Sequence, residues 1–258
     1  MASRDLGRAK AFASKFGIPK AYGSYEALAA DPEVELIYIA TKHYHHYACM
    51  KLFLEHGKPV LCEKAFTANA KQAREILELS RQKGIFVAEA IWTRYLPSRR
   101  LIDDAIAAGK IGEVYLVTAN LGYDIQNVKR LTDPALAGGA ILDVGIYPLS
   151  FIAMVLGTDV AEITSSCVKT DTGVDAVNTI LLKYRNGVLA AAHSGMLGAT
   201  EQAGIVYGTK GYLMAKNINN VDRVDIYDNE RHLVETIEIP EQITGFEDEV
   251  RASMQAIR

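Results

Sequence analysis

Cysteine is scarce in this chain. The three that occur, Cys49, Cys62 and Cys167, lie far apart with no C-x-x-C spacing. That spacing excludes a zinc ribbon and a disulfide framework and leads to the expectation of a reducing, cytoplasmic compartment. Charge of one sign is also missing. With 28 basic and 31 acidic residues the net charge is −3, which leaves no electrostatic footprint for nucleic acid or an anionic membrane. Apolar runs read as shorter than the roughly 18–20 residues of a membrane span. The opening Met1-Ala2-Ser3-Arg4-Asp5 holds no apolar signal region. Repeats, low-complexity stretches and a long linker are absent too.

What is present reads as a globular chain of two modest domains, for 258 residues exceed one typical core. Residues 1–91 alternate helical and strand patterns. Leu6, Ala9, Ala13 and Phe16 share a helical face that stops at Gly17. Residues 34–40 (VELIYIA) read as a buried parallel strand, followed by a helix over 45–56. The next strand is 59–63, Thr67 is the expected N-cap of a helix running to Lys83, and 85–90 is the third strand. This β-α-β-α-β order predicts a parallel sheet with helices on both faces. One element of a dinucleotide-binding unit is lacking: no strand and G-x-G-x-x-G turn precede the first helix. The chain starts where the second strand of such a unit would be ending, so an incomplete Rossmann-type domain, cut from a longer protein, is the expectation.

Residues 92–258 change character. Helices are predicted over 98–108 and 145–156, and strands over 112–122, 160–170, 175–184, 188–196, 201–207, 212–215, 224–228 and 233–239. Asn186-Gly187 and residues 208–211 read as hairpin turns. The fold class is thus α/β: a partial parallel sheet, then an α+β domain on a large, mostly antiparallel sheet, closed by a helix over 245–258.

Lys64 ends the apolar strand that holds Val60 and Leu61. In open α/β sheets the carboxyl ends of the strands are where ligands bind. Asp143 and Tyr147 stand four residues apart behind Gly138-Gly139. A lysine, a carboxylate and a phenol make a proton-handling set. Their bland readings are a helix-capping lysine, an N-cap aspartate and a core tyrosine. His43, His45 and His46 crowd together, but no carboxylate or cysteine stands at ligand spacing, so no metal is expected.

Several segments carry a family likeness. Ile39-Ala40-Thr41 with His43 and His46, and Gly57-Lys58-Pro59-Val60-Leu61-Cys62-Glu63-Lys64, resemble the Gfo/Idh/MocA oxidoreductases. So do Glu89-Ala90-Ile91-Trp92-Thr93-Arg94-Tyr95-Leu96-Pro97 and residues 138–148, while Gly208-Thr209-Lys210-Gly211 matches a hairpin of their second domain. The Trp-Thr-Arg and Asp-Val-Gly-Ile-Tyr segments are most similar to a branch of dimeric dihydrodiol and NADP-dependent D-xylose dehydrogenases.

The resemblance implies hydride transfer between NAD(P) and a CH–OH group of a sugar, polyol or cyclic diol. It implies a homodimer with a small-molecule substrate; the charge balance and short apolar runs already point away from nucleic acid and membrane as partners. Lys64, Asp143 and Tyr147 take the catalytic roles, and which of Lys64 and Tyr147 moves the proton stays open. Ser3, Arg4, Thr41, His43, His46, Glu63, Lys64, Trp92 and Arg94 take the cofactor-binding roles. Arg4, where an acidic residue would select NAD, leans towards the extra phosphate of NADP. The family's motif has proline at position 65, where this chain has alanine. A cis bond before a residue other than proline costs about 2.5–4 kcal/mol, so the Lys64–Ala65 bond is expected to be trans or strained. Two rival readings stand beside the dehydrogenase. One is a non-catalytic binding or dimerisation module, suggested by the missing nucleotide turn. The other is an enzyme that uses bound NAD for elimination or glycoside cleavage with no net redox change.

Overall fold

Short apolar runs bounded by turn formers set the strands of the first unit. The computed structural model describes residues 1–258 and divides them into two compact units, Met1–Ala90 with Ser253–Arg258, and Ile91–Ala252. The last six residues therefore group with the first unit, where the sequence reading had kept them in the second. The first unit runs α1 (Leu6–Phe16), α2 (Tyr25–Ala29), β1 (Ile37–Ile39), α3 (His43–Glu55), β2 (Val60–Glu63), α4 (Ala70–Lys83) and β3 (Val87–Ala90). The three strands are parallel in the order β1-β2-β3, with Ile37 opposite Val60 and Val60 opposite Val87.

Strand β2 is covered on both faces, which is why it reads as a continuous apolar run. Val60, Leu61 and Cys62 have no exposed surface. Burying Val60 and Leu61 stabilises by about 1.5–3 kcal/mol each relative to leaving them in water. Met50, Phe53 and Leu54 of α3 and Ile76 of α4 complete that core.

Several local expectations are corrected. The N-cap of α4 is Asn69, whose side chain accepts from the Gln72 N–H; the Thr67 hydroxyl instead donates to the Asn69 carbonyl. Helix α1 is capped by Asp5, whose carboxylate accepts from the Arg8 N–H. Helix α3 starts at His43, two residues early, so all three clustered histidines lie on its first turn. Strand β1 keeps only three of the seven residues assigned to it, because the Val34 N–H turns back to the Asp31 carbonyl.

The second unit begins with a 3-10 turn at Trp92–Arg94 and α5 (Pro97–Ala107), then β4 (Val114–Gly122). A π-helical turn, Ile141–Gly145, leads straight into α6 (Ile146–Leu156). The remaining strands are β5 (Val160–Lys169), β6 (Asp175–Tyr184), β7 (Leu189–Gly195), β8 (Gly204–Gly208), β9 (Gly211–Ala215), β10 (Arg223–Asp228) and β11 (Leu233–Glu238). They form one eight-stranded sheet in the order β11-β10-β9-β8-β4-β7-β6-β5. All its pairings are antiparallel except β4 with β7. Helix α7 (Phe246–Ala256) closes the chain.

Period-two burial explains how the sheet uses its faces. Ala176, Asn178, Ile180, Leu182 and Tyr184 of β6 point inward, while Thr179, Leu181 and Lys183 point out. Phe151 and Ile152 of α6 join Val117, Ala119, Leu121, Ala190 and Ala192 in the core. Across the outer face runs a register row of Tyr227, Tyr212, Tyr207, Leu116 and Leu189. The Tyr212 and Tyr227 rings stack with centroids 4.8 Å apart.

Contrary to the sequence reading, one stretch does have the length and apolar character of a membrane span: Pro134–Leu156, with a mean hydropathy of 1.9. Half of it is buried inside the protein, it changes from 3-10 to π to α geometry, and it carries the buried Asp143. Those are the marks of a core segment.

Candidate functional site

Lys64 leaves a largely buried strand and enters a loop in which side chains hold the peptide before Lys64 and the peptide after Ala65. Ala65 and Thr67 beyond it are buried, whereas Lys64 itself is half-buried. The Lys64–Ala65 bond is cis, which rules out the trans alternative. The Lys64 N–H donates to Glu63 Oε2 at 3.1 Å, and Tyr38 on β1 donates its phenol to the other oxygen of that carboxylate. The Ala65 carbonyl lies 2.8 Å from His46 Nδ1. The next N–H, that of Phe66, donates to Glu89 Oε1 at 2.9 Å.

His46 is the clearest departure from its assigned role. It has no exposed surface, and its other ring nitrogen lies 2.9 Å from the Thr41 carbonyl. Both nitrogens meet main chain, so none is left for a bound nucleotide. His43 is half-buried and packs edge-on against it, with ring centroids 5.8 Å apart.

The neighbouring His45, which the sequence reading passed over except as a metal candidate, has the features of a ligand contact. Its Nε2 is buried without a hydrogen-bond partner. Burial, and then the charges of Arg4 and Lys42, hold its imidazole below the usual histidine range. A neutral ring with an unspent nitrogen, beside two cations at the carboxyl end of β1, fits an oxygen-rich anionic ligand such as a dinucleotide. The signal was its place on the first turn of α3, which the late helix start concealed. Ser3 lies in the turn before α1, its N–H donating to the Tyr22 carbonyl at 3.2 Å and its hydroxyl accepting from the Asp5 N–H, and Arg4 is exposed. No group of three or more His, Cys, Asp or Glu side chains is placed to hold a metal ion.

In the second unit, Asp143 sits inside the π-helical turn and is buried, with its Oδ1 3.0 Å from Arg130 Nη1. Tyr147 is 9% exposed and shares the apolar core of α6. A polar chain from the sheet fixes this turn. Asp175 Oδ2 accepts from the Ile141 N–H at 2.7 Å and from Asn178 Nδ2 at 2.8 Å. Ser194 in turn donates to Asn178 Oδ1 at 3.0 Å. Two glycines let the turn lie this close. A Cβ on Gly139, whose φ is +116°, would stand 2.3 Å from Asp175 Oδ1, and one on Gly145 would stand 2.8 Å from Ser194 Oγ.

Trp92 is buried and stacks on Phe246 at 4.5 Å, with 12° between the rings. Phe246 lies 154 positions further along the chain, so no local pattern announces the stack. Arg94 is exposed on the same 3-10 turn. A separate small apolar pocket, lined by Leu96, Ile102, Phe151, Met154 and Val155 among others, takes in none of the predicted site residues.

A lysine at the carboxyl end of a parallel strand, in a unit whose His45 keeps an unpartnered nitrogen under the charges of Arg4 and Lys42, is the arrangement of a ligand site of the open α/β class. Comparison with known proteins agrees. Residues 1–90 match the family model described as an oxidoreductase NAD-binding Rossmann fold, and residues 100–214 match the GFO/IDH/MocA C-terminal domain. The chain belongs to the Gfo/Idh/MocA oxidoreductase family. It is 45% identical over 212 residues to a trans-1,2-dihydrobenzene-1,2-diol dehydrogenase of Bos taurus, a match covering 82% of this chain and 63% of that protein. With the Homo sapiens protein of the same name it shares 42% over 218 residues, covering 84% and 65%. The chain therefore spans just under two thirds of these relatives. Among solved structures, KijD10, a 3-ketoreductase from Actinomadura kijaniata in complex with NADP and TDP-benzene, superposes with a TM-score of 0.89 at 27% identity, covering 99% of this chain and 80% of that one.

Proposed function

We propose that the chain is a dehydrogenase or reductase that prefers NADP and acts on a carbinol carbon of a sugar, polyol or cyclic diol. The observation that carries this is Lys64, set at the carboxyl end of β2 by side-chain bonds to the peptide before it and to the peptide joining Ala65 to Phe66. Such investment in one lysine's backbone suits a residue whose ammonium must meet a particular oxygen. When bound, the nicotinamide supplies the hydride donor or acceptor. Lys64 hydrogen-bonds the reacting hydroxyl and handles its proton together with Tyr147, and Asp143 orients the substrate. Ser3, Arg4, Thr41 and His43 hold the nucleotide, with Lys42 and His45 added to that set; Glu63, Trp92 and Arg94 complete it. Arg4 favours the additional phosphate through a charge-assisted bond.

The names of the relatives, dehydrogenases and a ketoreductase, support a redox enzyme over the non-catalytic module. Replacement of Lys64 by Ala tests the reading. NADP-dependent diol or sugar oxidation should fall by about 10²–10⁴-fold, the range of a lost acid–base group, while NADPH affinity by fluorescence titration changes little. Unchanged turnover sinks it.

A homodimer and a cytoplasmic location belong to the same proposal. The outer face of the sheet supports the first, since its tyrosine and leucine row reaches exposed Leu189, and Leu181, two residues along β6 from the Lys183 that pairs with it, is exposed as well. Sedimentation of Leu181→Glu against the parent chain tests it, with a lighter species expected. The second rests on three free thiols.

A further inference from the structure

We infer that His46 and Glu89 are a clamp that positions Lys64, acting on a single peptide unit two bonds beyond it. The unit joining Ala65 to Phe66 is gripped at both ends. Its carbonyl oxygen is 2.8 Å from His46 Nδ1, and its N–H donates to Glu89 Oε1 at 2.9 Å. The two side chains come from different elements, α3 and β3, which flank β2 on either side in sequence. A peptide plane held through both its donor and its acceptor cannot swing, so the chain direction leaving Lys64 is set. His46 is anchored in its turn, because its Nε2 faces the Thr41 carbonyl at 2.9 Å and the ring is wholly buried. The link from the end of β1 through an imidazole to the loop after β2 thus ties two strand ends together at the lysine. Both residues are positioning residues. Their value to the reaction rests on the reading of Lys64 as the proton-handling group.

Both ring nitrogens of His46 face carbonyl oxygens and a neutral imidazole donates to one of them, which the clamp takes to be that of Ala65; shape-matched amides separate the two contacts. In His46→Asn the side-chain NH₂ replaces Nδ1 and keeps the bond to Ala65, and in His46→Gln it replaces Nε2 and keeps only the bond to Thr41. His46→Ala keeps neither. Glu89→Gln retains an acceptor for Phe66, and Glu89→Ala removes it.

Two readouts apply to the full chain. The first needs no ligand: lysines are dimethylated with ¹³C, and the Lys64 signal is assigned from its loss in Lys64→Arg. Wild type, His46→Asn and Glu89→Gln should give one sharp, displaced Lys64 resonance. His46→Gln, His46→Ala and Glu89→Ala should move it towards the exposed-lysine position. The second is turnover with NADP. The same three variants should lose about 10–100-fold in kcat, the cost of misplacing a reacting group by about an ångström, with the KM for NADP nearly constant. The Asn and Gln variants of rescue type should recover most of it. If wild type proves inactive while the resonance responds as stated, the clamp stands and the dehydrogenase reading falls. If wild type is active, and the His46→Gln and Glu89→Ala proteins match it in both resonance and kcat, the clamp is overturned. Glu89 is only half-buried, so its variants serve should the His46 variants not fold.

Discussion

A double-mutant cycle between Gly139 and Asp175 tests whether the sheet holds the Asp143-bearing turn. Asp175→Ala removes the acceptor of two donors, the Ile141 N–H at 2.7 Å and Asn178 Nδ2 at 2.8 Å. A stranded buried donor costs about 1–3 kcal/mol. Ile141 is exposed enough to recruit water, and Asn178 at 6% exposed is not, so about 2–4 kcal/mol is expected in total. Gly139→Ala meets two penalties. A non-glycine residue at φ +116° carries about 1–3 kcal/mol of backbone strain, and the new methyl falls 2.3 Å from Asp175 Oδ1 and drives the carboxylate off its donors. The second penalty vanishes once residue 175 is alanine. The double variant should therefore be destabilised by roughly 1–2 kcal/mol less than the sum of the single ones. Urea unfolding followed by the fluorescence of Trp92, the only tryptophan, measures all four corners. Additivity within about 0.5 kcal/mol, or an Asp175→Ala protein as stable as its parent, would refute the account of how the turn is held.

Acid should loosen the start of α7 before the rest of its unit. Burial pushes the Glu247 carboxyl up, but N–H groups including those of Ile243 and Thr244, with the Thr244 hydroxyl, outweigh it and hold the pKa at about 2. Because the folded value lies below the unfolded one near 4.5, this support is complete above pH 4.5 and is lost as pH falls towards 2. Trp92 emission should change across that window through its stack on Phe246, and much less in Glu247→Gln. Thiol titration in the native state should find one reactive cysteine, the exposed Cys167, with Cys49 and Cys62 appearing only on unfolding, since burial shields both and pushes their thiols up. Asn69→Ala should cost about 1 kcal/mol as the loss of an N-cap, and Ser at the same place should recover most of it.

Much of the first unit was legible because its signals are local. The glycine stops at Gly17 and Gly84 take φ of +66° and +63° and end α1 and α4 where the pattern placed them. The caps were harder: Thr67 and Asn69 both qualify, and the choice depends on a loop course governed by Glu89, more than twenty residues on. All eight strands of the second sheet were readable from alternation and turn residues. Their spatial order was not, because β4 pairs with β8 on one side and with β7 in parallel on the other.

The candidate site divides in the same way. Lys64, Asp143 and Tyr147 stand out in sequence, since a charged residue at the end of an apolar strand and a carboxylate four residues before a phenol are neighbour relations. The roles of His46, Glu89 and Asp175 are not neighbour relations. Their partners lie 19, 23 and 34 positions away, and a histidine that clamps a carbonyl has the same letter as one that touches a ligand.

By itself, then, the order of residues determined the kinds of element, their rough extent and the side chains able to do chemistry, because backbone preference and hydrophobic period act over a few residues. Tertiary structure alone decided which carbonyls and N–H groups those side chains grip. Burial demands a partner for each polar atom, and only the packed chain determines which partner is within reach.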